Sequence, residues 1–187
     1  MNFDDSVHLQ LEALNLESRS QLRVSMVCLG NICRSPMAAA VLHNRADEVK
    51  PIEILVDSAG TGSWHVGEGA NFSSEATWRK AGYEYKHIAQ QFTGDFFPLR
   101  DLILVMDSSN YRDVLKLAPN SEFAGKVFYL RQFDPALCHI NPKSEEAKSL
   151  EVPDPYGLPE RAFEKVLKMV EDSVEGLLQV IKSKVGA

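Results

Sequence analysis

The chain has 187 residues, of which 44% are hydrophobic and 25% are charged, and its formal net charge is −6. These values are typical of a globular protein with one core and do not require a second domain. The negative charge argues against general binding of nucleic acids or anionic membranes, so an anionic substrate would need a locally positive site.

The three cysteines, Cys28, Cys33 and Cys138, are too few and too scattered for a disulfide framework. They favour a reducing environment. No apolar run approaches the roughly 18 residues that span a bilayer. The first twenty residues are too acidic for a signal peptide. We therefore predict a cytoplasmic protein without a membrane span.

The chain divides into an N-terminal arm or extra helix over residues 1–21 and one domain over residues 22–187. Short apolar and β-branched runs predict four strands, at Leu22–Val27, Ile52–Val56, Leu102–Met106 and Lys126–Leu130. Helices are predicted over residues 36–49, 71–81 and 110–117, and from 159 onward. This alternation predicts a single-domain α/β fold, with a four-stranded parallel twisted sheet and helices on both faces.

The first strand leads into the stretch Cys28-Leu29-Gly30-Asn31-Ile32-Cys33-Arg34-Ser35-Pro36. Ligands bind at the carboxyl ends of the strands in such sheets, so a site is expected at this loop. Ser35 and Pro36 are a good N-cap and first residue for the following helix. A helix N-terminus and a nearby arginine both favour the thiolate, which is the nucleophilic form of cysteine.

The same loop has the residues that an anion site needs. Gly30 and Asn31 tolerate the positive φ that turns successive amides toward an anion. Arg34 offers a planar fork for two phosphoryl oxygens. Ser35 can donate a hydrogen bond to the Cys28 thiolate. The loop therefore predicts a phosphate group held over a nucleophilic sulfur.

Two other interpretations of the cysteines stay open from the residues alone. Cys28 could be a buried small apolar residue at a strand end. A zinc site could also combine Cys28 and Cys33 with Cys138 and His139. Structural zinc sites favour closer cysteine pairs, which argues against this second interpretation.

Four motifs in this chain resemble those of the low-molecular-weight protein tyrosine phosphatases. They are the Cys28–Pro36 loop, Asp57–Thr61 with Trp64, Met106–Asn110, and Asp154-Pro155-Tyr156. They follow the family's order between about residues 22 and 183. The resemblance implies the flavodoxin-like fold of phosphotyrosine phosphatase I. It also implies a phosphomonoesterase that hydrolyses protein phosphotyrosine through a cysteinyl-phosphate intermediate.

The resemblance gives catalytic roles to three residues. Cys28 would be the nucleophile, Arg34 the phosphate clamp and Asp154 the general acid and then the general base. Without the resemblance, Asp154 between two prolines is more typical of a turn. Trp64 and Tyr156 would form the walls of a slot that holds the phosphotyrosine ring.

Further roles in the loop and around it are also implied by the resemblance. The substrate-binding residues of the loop would be Leu29, Gly30, Asn31, Ile32, Cys33 and Ser35. Ser58 and His87 would join Asn31 in a hydrogen-bonded support. Cys33 would form a disulfide with Cys28 under oxidation. No metal or cofactor is implied. The expected partners are phosphotyrosine proteins, inorganic phosphate is the product, and a monomer that binds no nucleic acid is expected.

The chain departs from the family pattern at two positions. Gln90 stands where many members have an arginine, and we expect this to change surface electrostatics only. Gly157 stands where many members have a second aromatic residue, so the slot should be more open on that side.

Three rival functions remain. Arsenate reductases of this fold pass electrons through further downstream cysteines, whereas this chain has only Cys138 there. Protein arginine phosphatases usually carry threonine at the position of Ile32, and an apolar residue favours an aryl phosphate. A non-catalytic phospho-binding module would not need Cys28, Arg34 and Asp154 together.

Overall fold

Four parallel strands form the centre of the protein, in the order β2-β1-β3-β4. A computed structural model describes residues 1–15 and 18–185. The strands are β1 (Gln21–Cys28), β2 (Glu53–Gly60), β3 (Leu102–Val105) and β4 (Val127–Tyr129). The predicted parallel α/β sheet is therefore confirmed. The predicted arm and domain also include residues 16–17 and 186–187, which lie outside the described residues.

Strand β2 is longer than its apolar pattern indicates. Residues 58–60 pair in register with residues 26–28, so the predicted turn out of the strand at Asp57 is wrong. Small side chains permit this close pairing beside the cysteine loop. A Cβ atom on Gly60 would lie 2.8 Å from the carbonyl oxygen of Leu29.

Helices cover both faces of the sheet, as predicted. They are α1 (Asp5–Ala13), α2 (Arg34–Arg45), α3 (Phe72–Lys80), α4 (Phe96–Leu99), α5 (Ser108–Lys116), α6 (Ser121–Ala124) and α7 (Glu160–Val185). Helices α1, α2, α3 and α7 pack on one face, and α4 and α5 pack on the other. Each face has its own apolar core because successive strand residues point to opposite sides of the sheet. Met26 belongs to the first core and Val27 to the second.

The start of α2 differs from the prediction that Ser35 is its N-cap. The helix begins at Arg34, and Cys33 occupies the N-cap position without a side-chain hydrogen bond. The Ser35 hydroxyl is already engaged by Cys28 Sγ and Asn31 Nδ2 and so does not cap the helix. The N-caps of α3 and α5 are conventional, because Asn71 and Asp107 each accept a backbone N–H of the first turn.

The arm preceding the sheet contains helix α1, which packs on the body of the protein. Val7 and Leu11 are buried in the core that α2 and α7 share. Gln10 Nε2 donates to the carbonyl oxygens of Gly125 and Val127, at the amino end of β4. Across residues 1–15 and 18–185, none of the helices combines the length and apolar character of a membrane span.

Candidate active site

The cysteine loop lies at the carboxyl end of a central strand. Cys28 closes β1, and the following residues turn directly into α2. Backbone hydrogen bonds from Thr61 to the Cys28 carbonyl and from Gly62 to the Leu29 carbonyl, each 2.9 Å, hold the loop against the chain that leaves β2. The loop is therefore fixed from its first residue onward by backbone contacts.

The sulfur of Cys28 has two hydrogen-bonding neighbours inside this loop. Ser35 Oγ lies 3.0 Å from Sγ, and the Asn31 amide donates to Sγ over 3.3 Å. Asn31 Nδ2 also donates to Ser35 Oγ, over 2.9 Å. Because the Ser35 oxygen accepts a hydrogen bond from Asn31, the Ser35 hydroxyl proton is available to bond to the Cys28 sulfur. All three residues are buried.

Asn31 joins several chain segments behind the loop. Its φ is +55°, and its Nδ2 donates to Ser58 Oγ over 2.9 Å. The Gln90 amide donates to Asn31 Oδ1 over 2.9 Å, and His87 Nε2 donates to the Asn31 carbonyl over 2.6 Å. Burial lowers the pKa of His87 despite this bond, so the neutral imidazole is favoured. Ser58 and His87 therefore lie where the resemblance implied a support.

Arg34 is buried and lies at the centre of an ionic cluster. Its Nη1 donates to Asp107 Oδ2 over 2.6 Å and to the Val152 carbonyl over 3.2 Å, and its Nη2 donates to Asp154 Oδ2 over 2.8 Å. Burial alone would lower the pKa of Arg34, but the charges of Cys28, Asp154 and Asp107 outweigh it and raise the pKa. Among the described residues, Arg34 Nε is buried without a hydrogen-bond partner. This N–H is a free donor for an anion.

A slot of about 190 Å³ opens over Cys28. Its lining consists of Cys28, Leu29, Gly30, Ile32, Cys33, Trp64, His65, Asp154 and Tyr156. Trp64 and Tyr156 are mostly exposed and stand on two separate loops. Gly62 permits this position of Trp64, since a Cβ atom there would lie 1.7 Å from the indole ring. Gly157, which follows Tyr156, has a φ of +74°, and nothing lies within 4 Å of the place of its absent Cβ.

Ile32 and Cys33, which also line the slot, are buried. Burial, with the charges of Asp154 and Cys28, raises the pKa of Cys33 to about 12. Cys138 lies elsewhere, with its sulfur 3.5 Å from the carbonyl oxygen of Asn2 in the arm. Within residues 1–15 and 18–185, no three histidine, cysteine or acidic side chains gather into a metal-binding group.

Three residues contribute more to the site than their sequence signals indicated. Asp107 lies in the Met106–Asn110 motif, which gives it no role of its own, yet it caps α5 and contacts Arg34; its place directly after the predicted third strand could have indicated this. Gln90 was expected at the surface, but its side chain donates to the Ser58 carbonyl over 2.9 Å. His65 lines the slot and pairs with Glu68 at 2.8 Å.

The chain is similar to known phosphatases in sequence and in structure. Residues 23–187 match the family model described as low molecular weight phosphotyrosine protein phosphatase. A low molecular weight protein-tyrosine-phosphatase of Streptomyces coelicolor is 42% identical over 164 residues, which are 87% of this chain and 95% of that protein.

Two solved structures are informative for the site. A protein tyrosine phosphatase from Entamoeba histolytica, with Hepes in its active site, is 32% identical with a TM-score of 0.74. The match covers 88% of this chain and 98% of that chain. The YwlE arginine phosphatase from Geobacillus stearothermophilus is 25% identical with a TM-score of 0.71, and the match covers 87% of this chain and 94% of that chain. With the motifs, the sheet order and the family match in agreement, the chain belongs to the low-molecular-weight protein tyrosine phosphatase family of enzymes.

Proposed function

We propose that this enzyme hydrolyses phosphotyrosine in proteins through a cysteinyl-phosphate intermediate, without a metal or cofactor. The observation that carries the proposal is that Cys28 and Asp154 line one aromatic-walled slot, while Arg34 of the same loop donates to Asp154 over 2.8 Å. A nucleophile, an anion clamp and an acid within reach of one another are the groups that phosphoryl transfer to a thiol needs.

In the first step the Cys28 thiolate attacks phosphorus, so that an S–P bond forms as the P–O bond to the tyrosine breaks. Asp154 gives a proton to the departing phenolate oxygen. Arg34 and the loop amides hold the phosphoryl oxygens, and the unpartnered Arg34 Nε supports this role. The Ser35 hydroxyl, which already accepts from Asn31, donates to the sulfur and stabilises its negative charge.

In the second step water attacks the phosphocysteine and releases inorganic phosphate. Asp154, now a carboxylate, takes a proton from that water, since the acid of one step must act as the base of the next. The Cys28 thiolate leaves and is ready for another cycle. Because Asp154 is tied to Arg34 at 2.8 Å, the acid is held next to the clamp.

Phosphotyrosine is the substrate that the slot suits best. Trp64 and Tyr156 offer two faces for an aryl ring, and Ile32 adds an apolar floor. Phosphoarginine is the second candidate, because the likeness to an arginine phosphatase extends over most of the chain. A phosphoguanidinium is polar along its length and would leave N–H groups against Ile32, which disfavours it.

The test compares kcat/KM for matched phosphotyrosine, phosphoarginine and phosphoserine peptides, with arsenate reduction as a further assay. We expect phosphotyrosine to be hydrolysed fastest and the Cys28→Ser variant to be inactive. Asp154→Asn should slow phosphotyrosine turnover by about 10²–10⁴-fold, whereas Glu160→Gln, an exposed acid on the same segment, should not. Full activity of Cys28→Ser would refute the mechanism, and faster phosphoarginine hydrolysis would refute the substrate.

A further inference from the structure

Large exposed apolar side chains lie on the three segments next to the slot, and two of them, Trp64 and Tyr156, line it. Trp64 and Val66 stand on one wall loop, Tyr156 and Leu158 on the other, and Phe72 at the start of α3. We call these five residues the apolar rim. Single exposed apolar residues are common on protein surfaces and need no explanation. Five of them on the three segments next to one opening are more than scattered single residues, and such a concentration is typical of a binding surface.

Phe72 is the most exposed member of the rim, with 85% of its surface accessible. It is the first residue of α3, a position at which proline is over-represented and a bulky aromatic residue gains nothing from the helix. Its exposure also excludes a packing role. Neither helix formation nor the core therefore accounts for a phenylalanine at this position.

The start of α3 is held firmly against the cysteine loop. The Asn71 amide donates to the Ile32 carbonyl over 2.8 Å, and Ser74 Oγ donates to the Cys33 carbonyl over 2.8 Å. Asn71 Oδ1 also caps the helix by accepting from the Ser73 amide over 3.0 Å. Phe72 thus stands on a rigid support directly beside Ile32, which lines the slot.

The acidic side chains near the mouth are already paired with basic ones. The wall segments over residues 61–70 and 152–160 contain Glu68, Asp154 and Glu160, and they contain no lysine or arginine. Glu68 pairs with His65, Asp154 with Arg34, and Glu160 with Lys80 of α3. An apolar residue next to the phosphotyrosine would gain contact area on these walls, whereas an acidic one would find no lysine or arginine on the two wall segments.

We propose that the apolar rim, with Phe72 as its main contact, binds large apolar side chains that flank the phosphotyrosine of the substrate. The proposal rests on the proposed function and adds a substrate class to it. An extended peptide advances about 3.3 Å per residue, so side chains one or two positions from the phosphotyrosine lie over the rim when the ring fills the slot.

The test uses two phosphotyrosine peptides that differ only in the flanking residues, leucine in one and glutamate in the other. Wild type should favour the leucine peptide by about tenfold in kcat/KM, the effect of partly burying one leucine. Phe72→Ser should reduce this ratio to about twofold, and Phe72→Leu should retain most of it. Para-nitrophenyl phosphate, which has no flanking residues, is measured in parallel and separates a general loss of catalysis from a loss of peptide preference.

Leu9→Ser is the matched control, because Leu9 is an exposed leucine on α1. The neighbouring Gln10 binds at the amino end of β4, whereas the slot opens at the carboxyl end of β1. It should leave the peptide ratio unchanged. Equal rates for the two peptides in wild type, or an unchanged ratio in Phe72→Ser, would overturn the inference and leave the proposed function standing. Failure of wild type to hydrolyse either peptide would refute the proposed function and the inference with it.

Discussion

Asp107 connects Arg34 to the start of helix α5. Its Oδ2 accepts from Arg34 Nη1 over 2.6 Å, while its Oδ1 accepts from the Asn110 amide over 2.8 Å and caps α5. One carboxylate therefore orients the guanidinium and anchors it to a rigid element. Since Arg34 is buried, this partner also compensates a charge that solvent does not reach.

Asp107→Asn separates these two tasks, because the amide oxygen can still cap α5 but Arg34 loses one of its two ionic partners. We expect kcat/KM to fall by about 10–100-fold, which corresponds to one charge-assisted hydrogen bond. The melting temperature should fall only slightly. Asp113→Asn is the control, as Asp113 lies on the same helix and pairs at the surface with Lys116. Wild-type activity in Asp107→Asn would contradict the positioning role.

Asn31→Gly tests the side-chain network behind the loop without changing the backbone conformation that the loop needs. Glycine accepts the positive φ at residue 31 but cannot bond to Ser58, Ser35 or the Gln90 amide. The free energy of unfolding should decrease by about 1–3 kcal/mol, and kcat should fall because Ser35 loses its donor. Urea unfolding and phosphotyrosine kinetics measure the two effects.

Asn15→Gly is the matched control for that experiment. Asn15 also has a positive φ, of 49°, and it is exposed in the arm. Asn15→Gly has the same entropic effect of glycine on the unfolded chain, but it removes none of the hydrogen bonds of the Asn31 network. If both variants changed stability and kcat equally, the network around Asn31 would contribute nothing.

His87 should make stability depend on pH. Burial lowers its pKa below the ordinary 6.5, so the unfolded chain takes up a proton that the folded protein rejects. Its contribution to stability is complete above about pH 6.5 and is lost as the pH falls through the lower folded pKa. His87→Gln should therefore lose stability less steeply than wild type between pH 7.5 and 5.5 in urea unfolding. His139→Gln, at an exposed position, should follow wild type; an identical slope in His87→Gln would refute the assignment.

Cys33 should protect Cys28 from irreversible oxidation. With its pKa raised to about 12, Cys33 stays a thiol and does not compete as the nucleophile, so Cys33→Ser should retain turnover. Peroxide converts Cys28 to a sulfenic acid. The Cys33 thiol then condenses with this sulfenic acid, which releases water and forms a Cys28–Cys33 disulfide. Wild type and Cys138→Ser should regain activity with dithiothreitol, whereas Cys33→Ser should not. Absence of the Cys28–Cys33 linkage by mass spectrometry would refute this.

The position of the cysteine loop was predictable from the sequence for a physical reason. A parallel sheet brings the carboxyl ends of its strands to one edge, so Cys28 and the segment after the third strand had to approach each other. The meeting of Arg34 with Asp154 was expected only from the family resemblance, because nothing local in an Asp-Pro turn indicates a distant partner.

Other features could not be read from local patterns. Ser35 has the composition of an N-cap, but its hydroxyl is used by the loop instead, a choice that tertiary contacts make. Gln90 looks like a surface residue in a connection, and only the fold shows that it reaches Ser58. The extension of β2 to Gly60 depends on register with β1, which apolar periodicity does not report for small residues.

The partners of Arg34 lie 73, 118 and 120 positions away along the chain. Contacts of such long sequence separation close large loops and form slowly, after local helices and neighbouring strands. Recovery of catalysis on refolding should therefore lag behind the return of helical circular dichroism. If so, the return of activity would report on the last contacts to form, and the return of helical circular dichroism on earlier ones.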